Sequence, residues 1–170
     1  MKSIISIFLL LLGIQFSGMT QTASNNASSL SWHTDLSEAR KLSDATHKPI
    51  FAFFTGSDWC GWCRKLQADV FAKAAFVTWA KKNVILLELD FPRRKEQPAE
   101  LVQQNQSLQE AFQIKGYPTI WLFYVDEDPS SHNLSLNALG SLGYPSGAEQ
   151  GKEELQFLNE ANQVLAKGKK

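Results

Sequence analysis

The sequence predicts an α/β fold built on a central mixed β-sheet that carries helices on both faces. Segments of strand character alternate with segments of helical periodicity in the order β-α-β-α-β-α-β-β-α. Two strand segments, 50–54 and 84–89, are almost continuously apolar, which is typical of strands buried on both sides of a sheet. Strands joined through helices pair in parallel, whereas the last two predicted strands are joined by a turn and can pair antiparallel. The predicted sheet is therefore mixed.

Two strand–helix units make up the first half of the predicted domain. Residues 30–33 form a short strand, and Asp35 stands at the N-cap of the helix that follows it. Residues 50–54 form the central strand, because a continuous apolar run needs cover on both faces. The Thr-Gly-Ser-Asp sequence at 55–58 is typical of a turn, and apolar residues recur at helical spacing after Cys60. The next helix therefore begins at Cys60.

The second half is predicted to complete the sheet and to cover it with further helices. The last helix is amphipathic, with Leu155, Leu158, Ala161 and Leu165 on its inward side. The charged, proline-bounded segment 92–98 is predicted to be a solvated connector, with the docking of a partner as the alternative. The predicted elements are, in order, a helix at 76–82, a strand at 84–89, a helix at 99–112, strands at 119–125 and 134–143, and a helix at 151–166.

Composition and charge favour one folded domain without a bulk attraction to charged polymers. The chain of 170 residues is 44% hydrophobic and contains 11 Phe and 5 Trp, enough apolar surface to offset the entropy of ordering the backbone. Lys plus Arg and Asp plus Glu each number 17, so no net field draws the chain to nucleic acid or to an anionic membrane. We expect a single domain over 30–170 that binds no nucleic acid.

The N-terminus has the pattern of a secretory signal peptide. Lys2 is followed by an apolar run over 4–16 and then by small residues. This run is too short to span a bilayer core of about 30 Å, and it has no polar face. We therefore expect a signal peptide over 1–20, cleavage near 20–23, a flexible lead-in over 21–29, and no membrane span after cleavage. The expected location is the periplasm, with secretion as the alternative.

Cys60 and Cys63 are the only cysteines in the chain, and they are candidates for thiol chemistry. The unpaired backbone N–H groups and the dipole at a helix N-terminus stabilise an anion, so we expect a lowered pKa for the Cys60 thiol. Arg64 and Lys65 act in the same direction. Cys63 follows one helical turn later, on the same side but deeper. The pattern predicts Cys60 as the nucleophile and Cys63 as the thiol that resolves a mixed disulfide.

Three other uses of a Cys-x-x-Cys pair fit the sequence less well. A structural zinc site needs four ligands, and the three His residues are scattered without finger-like spacing. Covalent haem attachment needs His directly after the second cysteine, where this chain has Arg64. An inert structural disulfide stays open as an alternative, although it would close a very small loop and stabilise the fold only modestly. We expect no metal and no cofactor.

Around the cysteines the sequence resembles the thioredoxin superfamily. The resemblance is carried by Trp-Cys-Gly-Trp-Cys at 59–63, by Gly-Tyr-Pro-Thr at 116–119 and by the order of the elements, and it covers residues 30–167. The longer stretch Gly-Ser-Asp-Trp-Cys-Gly-Trp-Cys at 56–63, with Leu-Glu-Leu-Asp-Phe-Pro at 87–92, is similar to exported bacterial thioredoxin-like proteins with a CGWC motif. The resemblance implies a thioredoxin fold and disulfide exchange.

The resemblance also implies a substrate-binding surface. In this family the proline before the fourth strand is cis and lies beside the cysteine pair, a position that Pro118 holds here. The backbone next to it pairs with an extended substrate, so Tyr117 would contact the bound peptide. Trp59 and Trp62 flank the thiols and are candidates for an apolar rim, with burial in the core as the alternative. An ordinary loop with a trans proline is the alternative for the Gly-Tyr-Pro segment.

Two departures from thioredoxins bear on the chemistry. Thioredoxins carry a buried Asp six residues before the first cysteine, paired with a Lys on the next parallel strand, and the corresponding positions here are Phe54 and Leu86. Replacing both charges with apolar residues can be neutral for stability, but it removes an internal base for Cys63. Water or Glu88 is the candidate proton relay in its place. Trp62 stands where thioredoxin has proline, and its effect on the direction of exchange is open.

Together these features predict an exported thiol–disulfide oxidoreductase that acts on protein or peptide thiols and disulfides. We favour a reductase that receives electrons from an unidentified upstream donor, because an oxidising compartment would otherwise consume its thiols. A disulfide oxidase or isomerase is the alternative with the same residues. A non-catalytic binding module or holdase, which would use the surface of Trp59, Trp62 and Tyr117, is the alternative from another class.

Overall fold

The computed structural model describes residues 30–131 and 133–168 and contains the predicted alternation of strands and helices. The predicted signal peptide over 1–20 and the lead-in over 21–29 lie outside the described residues. The strands are β1 Trp32–His33, β2 Ile50–Thr55, β3 Ile85–Asp90, β4 Thr119–Glu127 and β5 Leu134–Leu142. The helices are α1 Leu36–Thr46, α2 Gly61–Leu66, α3 Ala74–Asn83, α4 Ala99–Ala111 and α5 Glu153–Lys167, with a π-helical segment Gln67–Phe71 directly after α2.

Five strands form one mixed sheet in the order β1-β3-β2-β4-β5, which confirms the predicted fold class. β1, β3 and β2 are parallel, whereas β4 runs antiparallel to both β2 and β5. All six residues of β2 are buried, as its continuous apolar run predicts. Because parallel strands direct their carboxyl ends to one edge of the sheet, the loops after β2 and β3 meet there. The cysteines lie at this edge.

Helices cover both faces of the sheet and enclose two separate hydrophobic cores. In the first core, α2, the π-helical segment, α3 and α5 pack over Phe51 and Phe53 of β2. In the second core, α1 and α4 pack over Ile50, Ala52 and Phe54 of the same strand. Successive side chains of a strand point to opposite faces, so the cysteines, which belong to the first core, share a face only with alternate residues of β2.

Most helices begin and end close to the predicted residues. The Asp35 carboxylate accepts a hydrogen bond from the backbone N–H of Glu38 at 2.9 Å, as predicted for the N-cap of α1. α4 covers 99–111, against a predicted 99–112. Within the residues that the structure describes, no helix is long and apolar enough to cross a membrane.

On α5, the predicted inward residues Leu158, Ala161 and Leu165 pack against the first core, but Leu155 does not. The buried residues of this helix are Phe157, Ala161 and Val164, whereas Leu155 is 55% exposed. Both sets of residues have helical spacing and share Ala161, but a buried Phe ring fills more of the core than a leucine side chain does. Phe157 therefore takes the inward position, and the prediction for Leu155 was wrong.

Candidate active site

The two cysteines form a disulfide bond at the start of α2. The chain leaves β2 at Thr55, makes the predicted turn and enters α2 at Gly61, with Cys60 as the N-cap residue. The Cα atoms of Cys60 and Cys63 are 5.3 Å apart, and their sulfur atoms are bonded. The backbone N–H of Cys63 also points to the Cys60 sulfur, at 3.1 Å. The prediction that the pair opens a helix is confirmed.

Burial distinguishes the two sulfur atoms. Cys60 retains 5% exposure, whereas Cys63 is fully buried in the first core. Of the two cysteines, only Cys60 therefore keeps any surface in contact with solvent. In the reduced protein the Cys60 thiolate would lie at the helix N-terminus, where backbone N–H groups stabilise an anion. The described residues contain no group of three or more His, Cys, Asp or Glu side chains that could hold a metal ion.

Gly56 allows the Trp59 ring to pack against the turn before the cysteines. The backbone N–H groups of Trp59 and Cys60 donate to the Gly56 carbonyl at 3.2 and 2.8 Å. A Cβ atom at residue 56 would lie 2.3 Å from Cε2 of Trp59, well inside van der Waals contact. The close approach of this ring therefore requires glycine at position 56.

Three groups hold Trp59 in place. Its Nε1 donates to the carbonyl oxygen of Phe91 at 2.8 Å. Its ring meets the Tyr117 ring edge-on, with centroids 5.5 Å apart. The guanidinium carbon of Arg93 lies 3.9 Å from the centroid of the Trp59 ring, within the range of a cation–π contact. Trp59 is therefore a half-buried, fixed wall beside Cys60.

The loop after β3 is fastened to the turn that precedes the cysteines. Asp58 accepts the backbone N–H groups of Arg93 at 3.0 Å and Arg94 at 2.7 Å, and these bonds hold the pKa of Asp58 below its ordinary value. The Asp90 carboxylate accepts the backbone N–H and the hydroxyl of Ser57, both at 2.7 Å. The predicted connector is exposed, but it is anchored to the site.

Tyr117 and Pro118 lie at the same edge, before β4. The peptide bond between them is cis, as the resemblance implied. The Tyr117 ring lies 5.4 Å from the Phe91 ring, and its hydroxyl accepts a hydrogen bond from the Gln109 amide at 2.6 Å. Burial raises the pKa of the Tyr117 hydroxyl. Tyr117 and Trp59 therefore form one continuous aromatic wall.

Trp62 is 58% exposed and does not share the tyrosine that Trp59 contacts. Its ring meets the Tyr144 ring edge-on, with centroids 5.1 Å apart. The Tyr144 hydroxyl donates to Asp69 at 2.7 Å, and the Lys65 ammonium donates to the same carboxylate at 2.5 Å. The hydrogen bond from Lys65 has the largest effect in lowering the pKa of Asp69, and the hydrogen bond from Tyr144 adds to it. The exposure of Trp62 agrees with the predicted rim.

Sequence reasoning missed Tyr144, although a signal was present. The triplet Gly-Tyr-Pro precedes β4 and recurs at 143–145, directly after β5. β4 and β5 are antiparallel neighbours, so the start of one and the end of the other lie at the same edge of the sheet. The tyrosine of the first triplet meets Trp59, and the tyrosine of the second meets Trp62.

Comparison with known families identifies the group to which this site belongs. The model of a thioredoxin-like domain matches residues 36–128, a span that includes both cysteines and Pro118. The chain belongs to the thioredoxin superfamily. The resemblance found in the sequence is thereby confirmed.

Two relatives from Chlamydia pneumoniae share parts of this sequence. Disulfide bond reductase DsbH is 37% identical over 110 residues, which are 65% of this chain and 64% of that protein. Thioredoxin-related protein DsbJ is 26% identical over 156 residues, which are 92% of this chain and 43% of that protein. The chain thus spans less than two thirds of the length of either relative.

Solved structures give the same fold. A DsbH oxidoreductase superposes with a TM-score of 0.67 at 30% identity, covering 87% of this chain and 92% of that chain. A thioredoxin from Thermus thermophilus superposes with a TM-score of 0.55 at 18% identity, covering 83% and 91%. The second likeness shows the fold alone.

The strand register corrects one correspondence with thioredoxins that the sequence suggested. Phe54, placed at the thioredoxin aspartate by counting six residues from Cys60, pairs with Leu89 and faces the second core. On the cysteine side of the sheet, Phe53 pairs with Glu88, and Thr55 pairs with Asp90 one step closer to the loops. Counting back from Cys60 assumed a turn of fixed length, and a difference of one residue moves a side chain to the other face of the sheet.

Glu88 thereby places one carboxyl group on the cysteine side of the sheet. It is half-buried and lines a cleft with Phe53, Phe71 and Trp32. Burial raises the pKa of Glu88, Asp90 adds to the rise, and Lys95 opposes it. This thioredoxin-superfamily chain lacks a buried Asp on β2, but it has an acid on the neighbouring strand of the same face.

Proposed function

We propose that the protein is a thiol–disulfide oxidoreductase that exchanges disulfides with protein or peptide substrates through Cys60 and Cys63. The observation that carries the proposal is the disulfide at a helix N-terminus, in which Cys60 retains slight exposure and Cys63 has none. Exchange benefits from this difference because the attacking sulfur must reach a foreign disulfide while the resolving sulfur is kept from it. The relative DsbH is a disulfide bond reductase, which supports the same chemistry.

In the reductive direction, the Cys60 thiolate attacks one sulfur of the substrate disulfide. The substrate S–S bond breaks, a mixed disulfide forms on Cys60, and the leaving sulfur takes up a proton. The Cys63 thiolate then attacks the Cys60 sulfur, which closes the internal disulfide and releases the second substrate thiol. Two electrons have passed to the substrate, and an upstream thiol donor returns them to the pair.

Further residues are proposed to support these steps. The proposed substrate-binding residues are Trp59, Trp62, Tyr117 and Pro118. The aromatic wall of Trp59 and Tyr117 and the exposed Trp62 ring flank the two cysteines in sequence and offer apolar contacts to a peptide. Glu88 is proposed as the proton relay for Cys63, because an acid whose pKa is raised exchanges protons nearer to neutral pH.

We propose reduction rather than oxidation or isomerisation as the direction of transfer. The measurement is the equilibrium of the Cys60–Cys63 disulfide with glutathione buffers, quenched with acid and read by alkylation and mass spectrometry. A reduction potential of about −270 mV fits a reductant, whereas one of about −120 mV would make the protein an oxidant.

We propose that the protein is exported to the periplasm, with 1–20 as a removed signal peptide. The charged start, the short apolar run and the small residues after it support this. Mass spectrometry of the protein isolated from its own cells should find a mature N-terminus near 20–23. An intact chain recovered from the cytoplasm would contradict export.

Trapping with Cys63→Ser tests the proposed activity directly. This variant keeps the attacking sulfur and loses the resolving one, so mixed disulfides on Cys60 should accumulate and disappear on reduction. Cys60→Ser is the matched control and should capture nothing. If Cys63→Ser captures no partner under conditions in which it folds, the binding module becomes the better interpretation. If the variant binds other proteins without forming a covalent adduct, that result would support the binding module directly.

A further inference from the structure

Arg93 places a positive charge against Trp59, the residue before Cys60. Its guanidinium carbon lies 3.9 Å from the centroid of the Trp59 ring, and Trp59 directly precedes Cys60. Arg93 is an exposed residue, and within 30–131 and 133–168 its side chain makes no hydrogen bond or ion pair. A guanidinium that stacks on a ring through its face keeps its in-plane N–H groups available for a carboxylate.

The backbone that carries Arg93 is fixed before any ligand binds. Asp58 accepts its N–H at 3.0 Å and the N–H of Arg94 at 2.7 Å, and the Arg94 side chain donates to the Asp58 carbonyl at 2.9 Å. Trp59 donates to Phe91 two residues earlier in the same loop. A side chain on an anchored loop, already stacked on a ring, loses little further conformational entropy on binding.

The nearby carboxylates of Asp58 and Asp90 are engaged in other hydrogen bonds and do not pair with the Arg93 guanidinium. The Asp58 and Asp90 carboxylates accept hydrogen bonds from backbone N–H groups and from Ser57. The Lys95 ammonium nitrogen lies 3.5 Å from the Ser57 hydroxyl oxygen, and Glu96 is exposed on the loop. The two inner carboxylates are thus occupied by the turn, while the Arg93 guanidinium is turned to the surface.

We propose that Arg93 binds a carboxylate of the substrate next to the disulfide that Cys60 attacks, and that the preferred substrates carry Asp or Glu at that place. This inference rests on the proposed function. Arginine suits the task because its planar fork accepts both oxygens of a carboxylate. The charge also explains why a basic segment is anchored at the site of a chain whose overall charge is zero.

Two disulfide peptides with the same sequence except for Glu or Gln beside one cysteine test this inference. The kcat/KM of reduction of the Glu peptide should exceed that of the Gln peptide about fivefold at low ionic strength, the upper range for an exposed ion pair. Arg93→Gln should bring this ratio to about one, and Arg93→Lys should restore part of it. High salt should reduce the ratio for the unmodified protein.

Lys82→Gln is the matched control and should keep the ratio unchanged. Lys82 is exposed and precedes β3, so it lies at the edge of the sheet opposite the disulfide. A ratio of one for the unmodified protein, or the same ratio in Arg93→Gln, overturns the inference while reduction of both peptides leaves the proposed function standing. If the protein reduces neither peptide, the proposed function fails and this inference fails with it.

Discussion

Trp59 and Cys60 form one half of the motif, Trp62 and Cys63 form the other, and the two halves are built in opposite ways. In the first half the tryptophan is fixed by a hydrogen bond and by ring contacts, and the cysteine retains 5% exposure. In the second half the tryptophan is 58% exposed and the sulfur is fully buried. The first half thus combines a fixed tryptophan with the slightly exposed cysteine, and the second combines an exposed tryptophan with the fully buried cysteine.

The reactive sulfur and the most exposed side chain thus lie in different halves of this five-residue motif. A sulfur that must attack needs access and a fixed direction, so the residue before it is held. The resolving sulfur must be buried to be kept from foreign disulfides, and the side chain of the residue before it can extend into solvent. Breaking either half should therefore have different and measurable consequences.

Reduction of the disulfide should make the difference between the sulfurs visible as reactivity. At mildly acidic pH we expect iodoacetamide to modify Cys60 at least about tenfold faster than Cys63, because only Cys60 retains any exposure and stands at a helix N-terminus. Pulse alkylation followed by peptide mass spectrometry measures both rates in one sample. Equal rates would remove the physical basis for assigning distinct roles.

Gly56→Ala should damage the first half by displacing Trp59. The added Cβ would lie 2.3 Å from the ring, and overpacking of this kind costs about 1–3 kcal/mol. Gly61→Ala is the matched control, because a Cβ there meets nothing within 4 Å and alanine favours the helix. Urea unfolding of the oxidised proteins should find only Gly56→Ala destabilised. A loss of stability in both would point to the substitution of glycine itself.

Replacing each tryptophan with phenylalanine should distinguish the fixed ring from the exposed one. Trp59→Phe removes the donor to the Phe91 carbonyl and should lower the free energy of unfolding by about 1 kcal/mol. Trp62→Phe keeps a ring beside Tyr144 and should change stability by less than about 0.5 kcal/mol. Thermal and urea unfolding measure both. A larger cost for Trp62→Phe would reverse the comparison.

Glu88→Gln should give the smallest change, and its sign depends on pH. Because burial raises the pKa of Glu88, the folded chain holds this proton more tightly than the unfolded chain does. The stabilisation is complete below the unfolded-state pKa, about 4.3, and is lost as the pH rises through the folded-state value. Relative to Glu88→Gln, the natural protein should therefore lose stability between acidic and neutral pH.

Urea unfolding of the two proteins at several pH values tests this prediction. A difference that does not vary with pH would show that Glu88 is as exposed to water as an ordinary surface acid. The pH–rate profile of peptide reduction gives a second readout: if it is the same in Glu88→Gln, the residue is not the proton relay.

Much of the fold could be predicted because its signals are local. The continuous apolar run of β2, the Asp35 cap and the turn before Cys60 each depend on a few neighbouring residues. The assignment of Pro118 came from resemblance, and the cis bond at that position agrees with it. Elements with strong periodicity and a clear cap can be located without knowledge of their partners.

What the sequence analysis got wrong or missed depends on register and on packing between distant segments. The face of Phe54 depends on the length of a turn, which periodicity does not measure. The contact between Trp62 and Tyr144 depends on the pairing of β4 with β5. The anchoring of Arg93 by Asp58 joins two loops that are adjacent only because β2 and β3 are parallel neighbours.

The two Gly-Tyr-Pro triplets have a consequence for how this sequence can diverge. Each supplies the tyrosine that supports one tryptophan of the motif, so each pair forms a unit spread over two distant stretches of chain. A descendant that replaces Trp62 loses its ring contact with Tyr144 but keeps the hydrogen bond from Tyr144 to Asp69, while the pair of Trp59 and Tyr117 is unchanged. Among relatives we expect the two pairs to vary independently, so that one side of the site can acquire new partners while the other preserves the chemistry.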